Sequence, residues 1–193
     1  MYRYIFLFVF LFPLFSFNPP SERNASCHTT KQGAAIDWVP GHRLKWSDFK
    51  AYEKKSPGFA VATSTCGFGY EAEEENDEIR VNVYVRFFCY ESWRMPGMKM
   101  REVLQHEQLH FDICELYGRR FYAEILELRK RHALTFESLD NLLEQLRKEY
   151  EIIQDRYDME TGHSTNTEAQ HRWERMTVEQ LKRMGRFAAY KEY

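Results

Sequence analysis

From Met98 to about His132 the chain runs without a proline and with a single glycine, Gly118. Over this stretch Leu104, Leu109, Ile113, Leu116 and Phe121 recur at intervals of three to five residues. That interval lays apolar side chains along one stripe of an α-helix, and the Pro96-Gly97 pair marks where the preceding structure stops. A second helix is expected from Thr135 or Ser138 to near Tyr157, with Leu139, Leu142, Leu143, Leu146, Tyr150 and Ile153 inward. After a loop at Thr161-Gly162-His163-Ser164-Thr165-Asn166, the capping box Thr167-Glu168-Ala169-Gln170 starts a third helix that runs toward Gly185.

Upstream of the long helix the period changes from 3.6 to 2. Ile79, Val81, Val83, Val85 and Phe87 alternate with Arg80, Asn82, Tyr84 and Arg86, so Ile79 to Tyr90 reads as a strand with one apolar face. Phe59 to Tyr70, rich in Val, Thr and aromatics, supplies a second arm. Asn76-Asp77 stands between the arms, and the charged run Glu71 to Glu78 reads as a solvated turn. Strands first and helices after them predict an α+β protein, a small antiparallel sheet packed on a helical region.

The N-terminus predicts export. Arg3 precedes an almost wholly apolar run, Ile5 to Phe17, which Pro19 and Pro20 end. About 13 residues of helix reach roughly 20 Å, short of a hydrocarbon core of roughly 30 Å. This suits a signal peptide over residues 1–20 rather than a stable membrane span. Residues 21–33 then read as a linker and 34–193 as one domain. The destination is periplasmic, secreted or cell-surface. There the four cysteines can pair, and the hairpin arms make Cys66 and Cys89 the expected disulfide, with Cys114 a buried thiol. The 27 basic and 29 acidic residues give a formal charge of −2, so no net field draws the chain to nucleic acid.

The long helix carries His106-Glu107-Gln108-Leu109-His110. Histidines four apart on a helix project from one face, one turn apart, within reach of a single Zn²⁺ at roughly 2.0–2.1 Å. Glu107 points about 100° around the helix, placed to act as general base toward a metal-activated water rather than to bind the metal. Two histidines leave zinc one protein ligand short. The continuation that would supply a third histidine from the same helix needs Gly at Ile113 and His at Leu116, and neither is present. The chemistry leaves His163, Glu151 (with Asp155 four residues on), Asp158 and Glu160 open. Asp112 and Glu115 could orient a ligand histidine or form ordinary ion pairs. Tyr157 could donate to an oxyanion or pack in the core; Trp46, Trp93 and Trp173 read as core.

Several blocks together resemble a family of bacterial secreted proteins of unknown function, described as predicted secreted zinc-dependent proteases. They are Leu44-Lys45-Trp46-Ser47-Asp48-Phe49, Glu91-Ser92-Trp93, Leu104 to Ile113, Tyr157 to Ser164, and Gln170 with Trp173. The resemblance spans roughly Trp38 to Leu181 and implies a zincin-like fold with peptidase activity. Its Tyr-Asp-x-x-Thr-x-His block favours His163 as the third ligand, beside His106 and His110, with Glu107 catalytic. The expected function is therefore an exported zinc metallopeptidase acting on a peptide or protein. The competing expectations are hydrolysis of a cell-wall peptide or another amide, and a non-catalytic binding or scaffold protein with a structural metal. An intact Glu107 argues against the last. In the peptidase reading, Ile79 to Tyr90 would offer its edge to an extended substrate.

Overall fold

The structure is a computed structural model that describes residues 25–52 and 60–190. The segment expected to be a signal peptide lies outside the described residues. Among the described residues six strands and three α-helices follow one another: β1 (His28–Thr30), β2 (Gly33–Asp37), β3 (Ala62–Thr63), β4 (Cys66–Glu75), β5 (Glu78–Phe88), β6 (Trp93–Arg94), α1 (Arg101–Lys130), α2 (Phe136–Thr161) and α3 (Thr167–Arg183). This is the α+β order expected from the sequence.

β4 and β5 form one long hairpin, in register from Glu75↔Glu78 to Cys66↔Phe87. Asn76 and Asp77 take φ of 53° and 62°, the positive values that a two-residue turn matched to strand twist needs at both positions. The turn is therefore only two residues. Glu71 to Glu75, expected to be part of it, continue β4, with Glu71 paired to Lys31 and Glu75 to Arg80 on the solvated side. Val81, Val83, Val85 and Phe87 bury the alternate face of β5.

The antiparallel sheet has the order β1-β2-β5-β4, and β3 and β6 pair separately. β5 is thus flanked on both sides, and Ile79 to Tyr90 has no edge to offer over the length it shares with β2 and β4. Residues 28–33, expected to be linker, instead form β1 and the turn into β2. The segment His-Thr-Thr carries no apolar alternation, so its strand character comes from pairing alone.

The disulfide also differs from expectation. Cys27 bonds to Cys89 with Cα atoms 6.5 Å apart, while Cys66 and Cys114 are free. Cys66 stands opposite Phe87, two residues before Cys89. Cys89 has already turned onto the β2 side, where its N–H donates to the Ala34 carbonyl. The thiol that meets it comes from the segment leading into β1.

α1 is the central element, buried on nearly every side from Val103 to Ile125, with the sheet against one flank and α2 and α3 against the other. Gly118 permits a close helix–sheet approach: a Cβ there would lie 2.2 Å from Val85 Cγ2. Short connections make α2 and α3 run up and down beside α1. Thr135 caps α2 by accepting from Ser138 N–H at 3.0 Å, and Gly162, in the left-handed region at φ 54°, ends it. Asn166, not Thr167, caps α3 by accepting from Ala169 N–H, which leaves the Gln170 side chain for another use. Among the described residues no helix is long and apolar enough to cross a membrane.

Candidate metal centre

α1 turns His106 and His110 toward the C-terminal turns of α2. There His106 Nε2 and His110 Nε2 each lie 3.0 Å from Asp158 Oδ1, and they lie 3.1 Å from each other. Tetrahedral ligand atoms around zinc, with bonds of about 2.0–2.1 Å, stand about 3.3 Å apart. The three atoms are therefore close to one face of such a tetrahedron. Among the described residues, His106, His110 and Asp158 are the group of this kind able to hold a metal ion.

The hydrogen-bond network around the rings decides which ring atoms carry lone pairs. Gln154 Nε2 donates to the His110 carbonyl at 3.0 Å, which turns Gln154 Oε1 toward His110 Nδ1 at 2.5 Å. Gln170 Nε2 donates to Glu174, and Gln170 Oε1 accepts from the Tyr157 hydroxyl at 2.8 Å while facing His106 Nδ1 at 3.3 Å. Both Nδ1 atoms thus meet acceptors and carry the hydrogen. In the neutral rings both Nε2 atoms then present lone pairs, toward one another and toward a carboxylate oxygen. Three lone pairs converging within 3.1 Å repel unless a cation, or a shared proton, sits among them. The donor set of two imidazoles and a carboxylate suits zinc.

The electrostatics carry the same imprint. Burial alone would lift the Asp158 carboxyl, but with protons on the Nε2 atoms in place of a cation, hydrogen bonds from His106 and His110 outweigh it and hold Asp158 well below the usual carboxylate range. Burial pulls His110 down, yet the Asp158 hydrogen bond and the nearby Glu107 and Asp158 charges leave it above the ordinary histidine value. Tyr157 stacks on His106 with ring centroids 4.6 Å apart and is itself fully buried, which pushes its phenol far up. Its hydroxyl is committed to Gln170 and the His106 carbonyl. Tyr157 therefore supports the site from within the core and has no route to a substrate oxyanion.

Glu107 is 4 % exposed, and its Oε2 is buried without a hydrogen-bond partner. An ionisable oxygen stranded in this way costs on the order of 1–3 kcal/mol. Glu107 is also among the residues lining a cavity of about 390 Å³, bounded by the histidine pair and Asp158 on one side and by residues 60–66 on the other. Ser64 ties this wall to α1 by donating to the Glu107 carbonyl.

The structure thus brings together His106, Glu107 and His110 as the spacing predicts, and the third corner is Asp158, one of the open alternatives. His163 stands outside the triangle. Its side chain is 61 % exposed at the cavity rim, Nδ1 is 3.7 Å from Asp158 Oδ1, and its φ is 49°. Asp158 lies in the last helical turns of α2 and shares the inward face with Gln154; His163 lies beyond the helix end, where the chain turns away. Glu151 and Asp155 are exposed, with Glu151 bordering a different cavity, and Glu160 is held by Arg156 and Trp173. Asp112 accepts from Trp38, Arg43 and Gln108, and Glu115 is buried with Arg119 and Tyr190. Neither touches a site histidine. Gln154 and Gln170 were not legible as site residues, because an isolated Gln on a helix carries no spacing signal.

A family model described as "Bacterial protein of unknown function (DUF922)" matches residues 92–164, which include His106, Glu107, His110, Gln154, Asp158 and His163 but stop before Gln170. No curated protein and no solved structure matches the chain.

Proposed function

We propose that this chain is an exported zinc-dependent hydrolase of zincin-like build that cleaves peptide bonds. His106, His110 and Asp158 hold the ion, and Glu107 is the general base. The observation that carries the reading is the pairing of three convergent ligand atoms with the stranded Glu107 oxygen beside an open cavity. A purely structural zinc is closed by four protein ligands; three ligands facing a cavity leave a position for water or substrate.

A bound zinc ion would lower the pKa of its water to about 7 and polarise a substrate carbonyl. Glu107 would accept a proton from the water that attacks the carbonyl carbon and would return it to the amide nitrogen as the C–N bond breaks. The amides of Gln154 and Gln170 keep both histidines oriented throughout.

A peptide suits the cavity because β3 forms its wall. Met95 N–H donates to the Val61 carbonyl, and Thr63 lies opposite Trp93, so these residues direct their backbone groups to β6. Alternation along a strand turns the backbone groups of Ala62, between them, toward the opposite edge, where an extended chain can pair. Export is supported by the apolar N-terminal run and by the Cys27–Cys89 disulfide, a bond that persists in oxidising compartments.

The test combines metal analysis with Glu107→Gln. The purified protein should hold about one zinc per chain, and the variant should keep it while hydrolysis of a peptide library falls roughly 10²–10⁴-fold. Full activity in the variant, or no stoichiometric metal after zinc-supplemented refolding, refutes the reading.

A further inference from the structure

Addition of water to a substrate carbonyl moves an electron pair onto the carbonyl oxygen, and a hydrogen-bond donor aimed at that oxygen lowers the barrier. Tyr157 is enclosed in the core and supplies none. Most N–H and O–H groups around the cavity are engaged elsewhere. Gln154 donates to the His110 carbonyl and Ser64 to the Glu107 carbonyl, while Thr65 donates to Glu91 and Tyr150 to Cys66. Thr63 belongs to the opposite wall. What remains on the side of the metal centre is His163 with Ser164.

The turn that carries them has an uncommon shape. Gly162, His163 and Ser164 take φ of 54°, 49° and 77°, three consecutive residues in the left-handed region that L side chains visit uncommonly. Such a run persists where its surroundings hold it. Here the His163 N–H donates to the Asp158 carbonyl at 3.0 Å, and the Asn166 N–H donates to the Thr161 carbonyl at 2.8 Å. The backbone of His163 is thereby fastened to the residue that supplies the third corner. Its ring is left uncommitted at the cavity rim: Nδ1 stands 3.7 Å from Asp158 Oδ1, beyond hydrogen-bond range, and the side chain is 61 % exposed.

We propose that His163 is a catalytic residue, donating a ring N–H to the substrate oxygen while that oxygen carries the negative charge. This deepens the hydrolase reading and rests on it. The proton stays on the ring. The electron pair returns to re-form the carbonyl as the C–N bond breaks, so the neutral imidazole, with its one N–H, suffices.

His163→Ala is compared with the wild-type chain, both zinc-loaded, with zinc determined on the same samples. The variant should keep its zinc and its KM for the best-cleaved library peptide, while kcat falls about 10²–10³-fold. Two probes of that peptide's sequence report binding by calorimetry without turnover. A phosphonamidate, whose tetrahedral anionic group stands where the charged oxygen forms, should bind the variant more weakly by a similar factor. A mercaptoacyl peptide, which anchors on the metal through sulfur, should bind both chains within about threefold of each other. His163→Gly, which suits a left-handed backbone, gives the same readings should the alanine variant not fold. Zinc lost from the variant makes His163 a ligand and overturns the proposal. So does an unchanged kcat, or an equal weakening of both probes. A wild-type chain that takes no zinc, or cleaves nothing in the library, overturns the hydrolase reading and the proposal together.

Discussion

Gln154 holds His110 at two points, donating to its backbone carbonyl at 3.0 Å and receiving its ring Nδ1 at 2.5 Å. The backbone bond thus holds the amide in place while its oxygen meets the ring, so the ring cannot rotate without giving up the Nδ1 contact. Gln170 does the corresponding work for His106 from a different helix. Gln154→Leu and Gln170→Leu should each weaken zinc binding by about 10–100-fold, measured by competition with a chelator. The Glu variants, which retain an acceptor, should recover much of it. Leu variants with unchanged zinc affinity would show that the amides merely pack.

The third corner is separable by metal analysis. Asp158→Ala removes a ligand oxygen and should strip the ion or lower its affinity by orders of magnitude. His163→Ala and Glu151→Ala should leave the ion in place, because both side chains lie outside the triangle. Loss of zinc from His163→Ala with retention in Asp158→Ala reverses the assignment.

The pH at which the metal is lost follows from His110. Without an ion its burial is outweighed by Asp158 and Glu107, so its pKa in the folded chain lies above about 6.5, the value expected when unfolded. The protonated ring therefore stabilises the ion-free fold below that value, and this contribution disappears as pH rises through the raised one. Zinc needs the unprotonated ring and competes with that proton. Apparent zinc affinity should begin to fall while pH is still above 6.5. An affinity flat down to pH 6 would contradict this.

Peptide mapping of exported protein should recover Cys27 linked to Cys89, with Cys66 alkylated as a free thiol. A Cys66–Cys89 peptide would be incompatible with the register of β4 and β5. Cys89→Ser should cost about 2–4 kcal/mol in denaturant unfolding, since the bond closes a loop across 62 positions.

Gly118→Ala tests the packing of α1 on the sheet. The added methyl would meet Val85 Cγ2 at 2.2 Å and the Tyr190 hydroxyl at 3.1 Å. It should destabilise by about 1–3 kcal/mol despite the better helix propensity of alanine. A gain in melting temperature would mean that Val85 and the helix can part at little cost.

The sequence by itself determined what depends on local periodicity. Three helices, the β5 alternation and the one-turn separation of His106 and His110 were all readable, because side-chain direction repeats every 3.6 or 2 residues whatever the tertiary context. The backbone twist at Asn76-Asp77 likewise belongs to two residues. What the tertiary structure alone decided depends on which distant segments meet. Asp158 rather than His163 completes the triangle because α2 continues to Thr161, keeping Asp158 on the face that meets α1. Gln170, read from the sequence as a capping residue and as part of the family resemblance but given no role at the site, reaches His106 because Asn166 takes the cap and α3 docks beside α1. Cys27 reaches Cys89 because an unpatterned tripeptide pairs with β2, and hydrogen bonding between backbones leaves no mark on side-chain sequence.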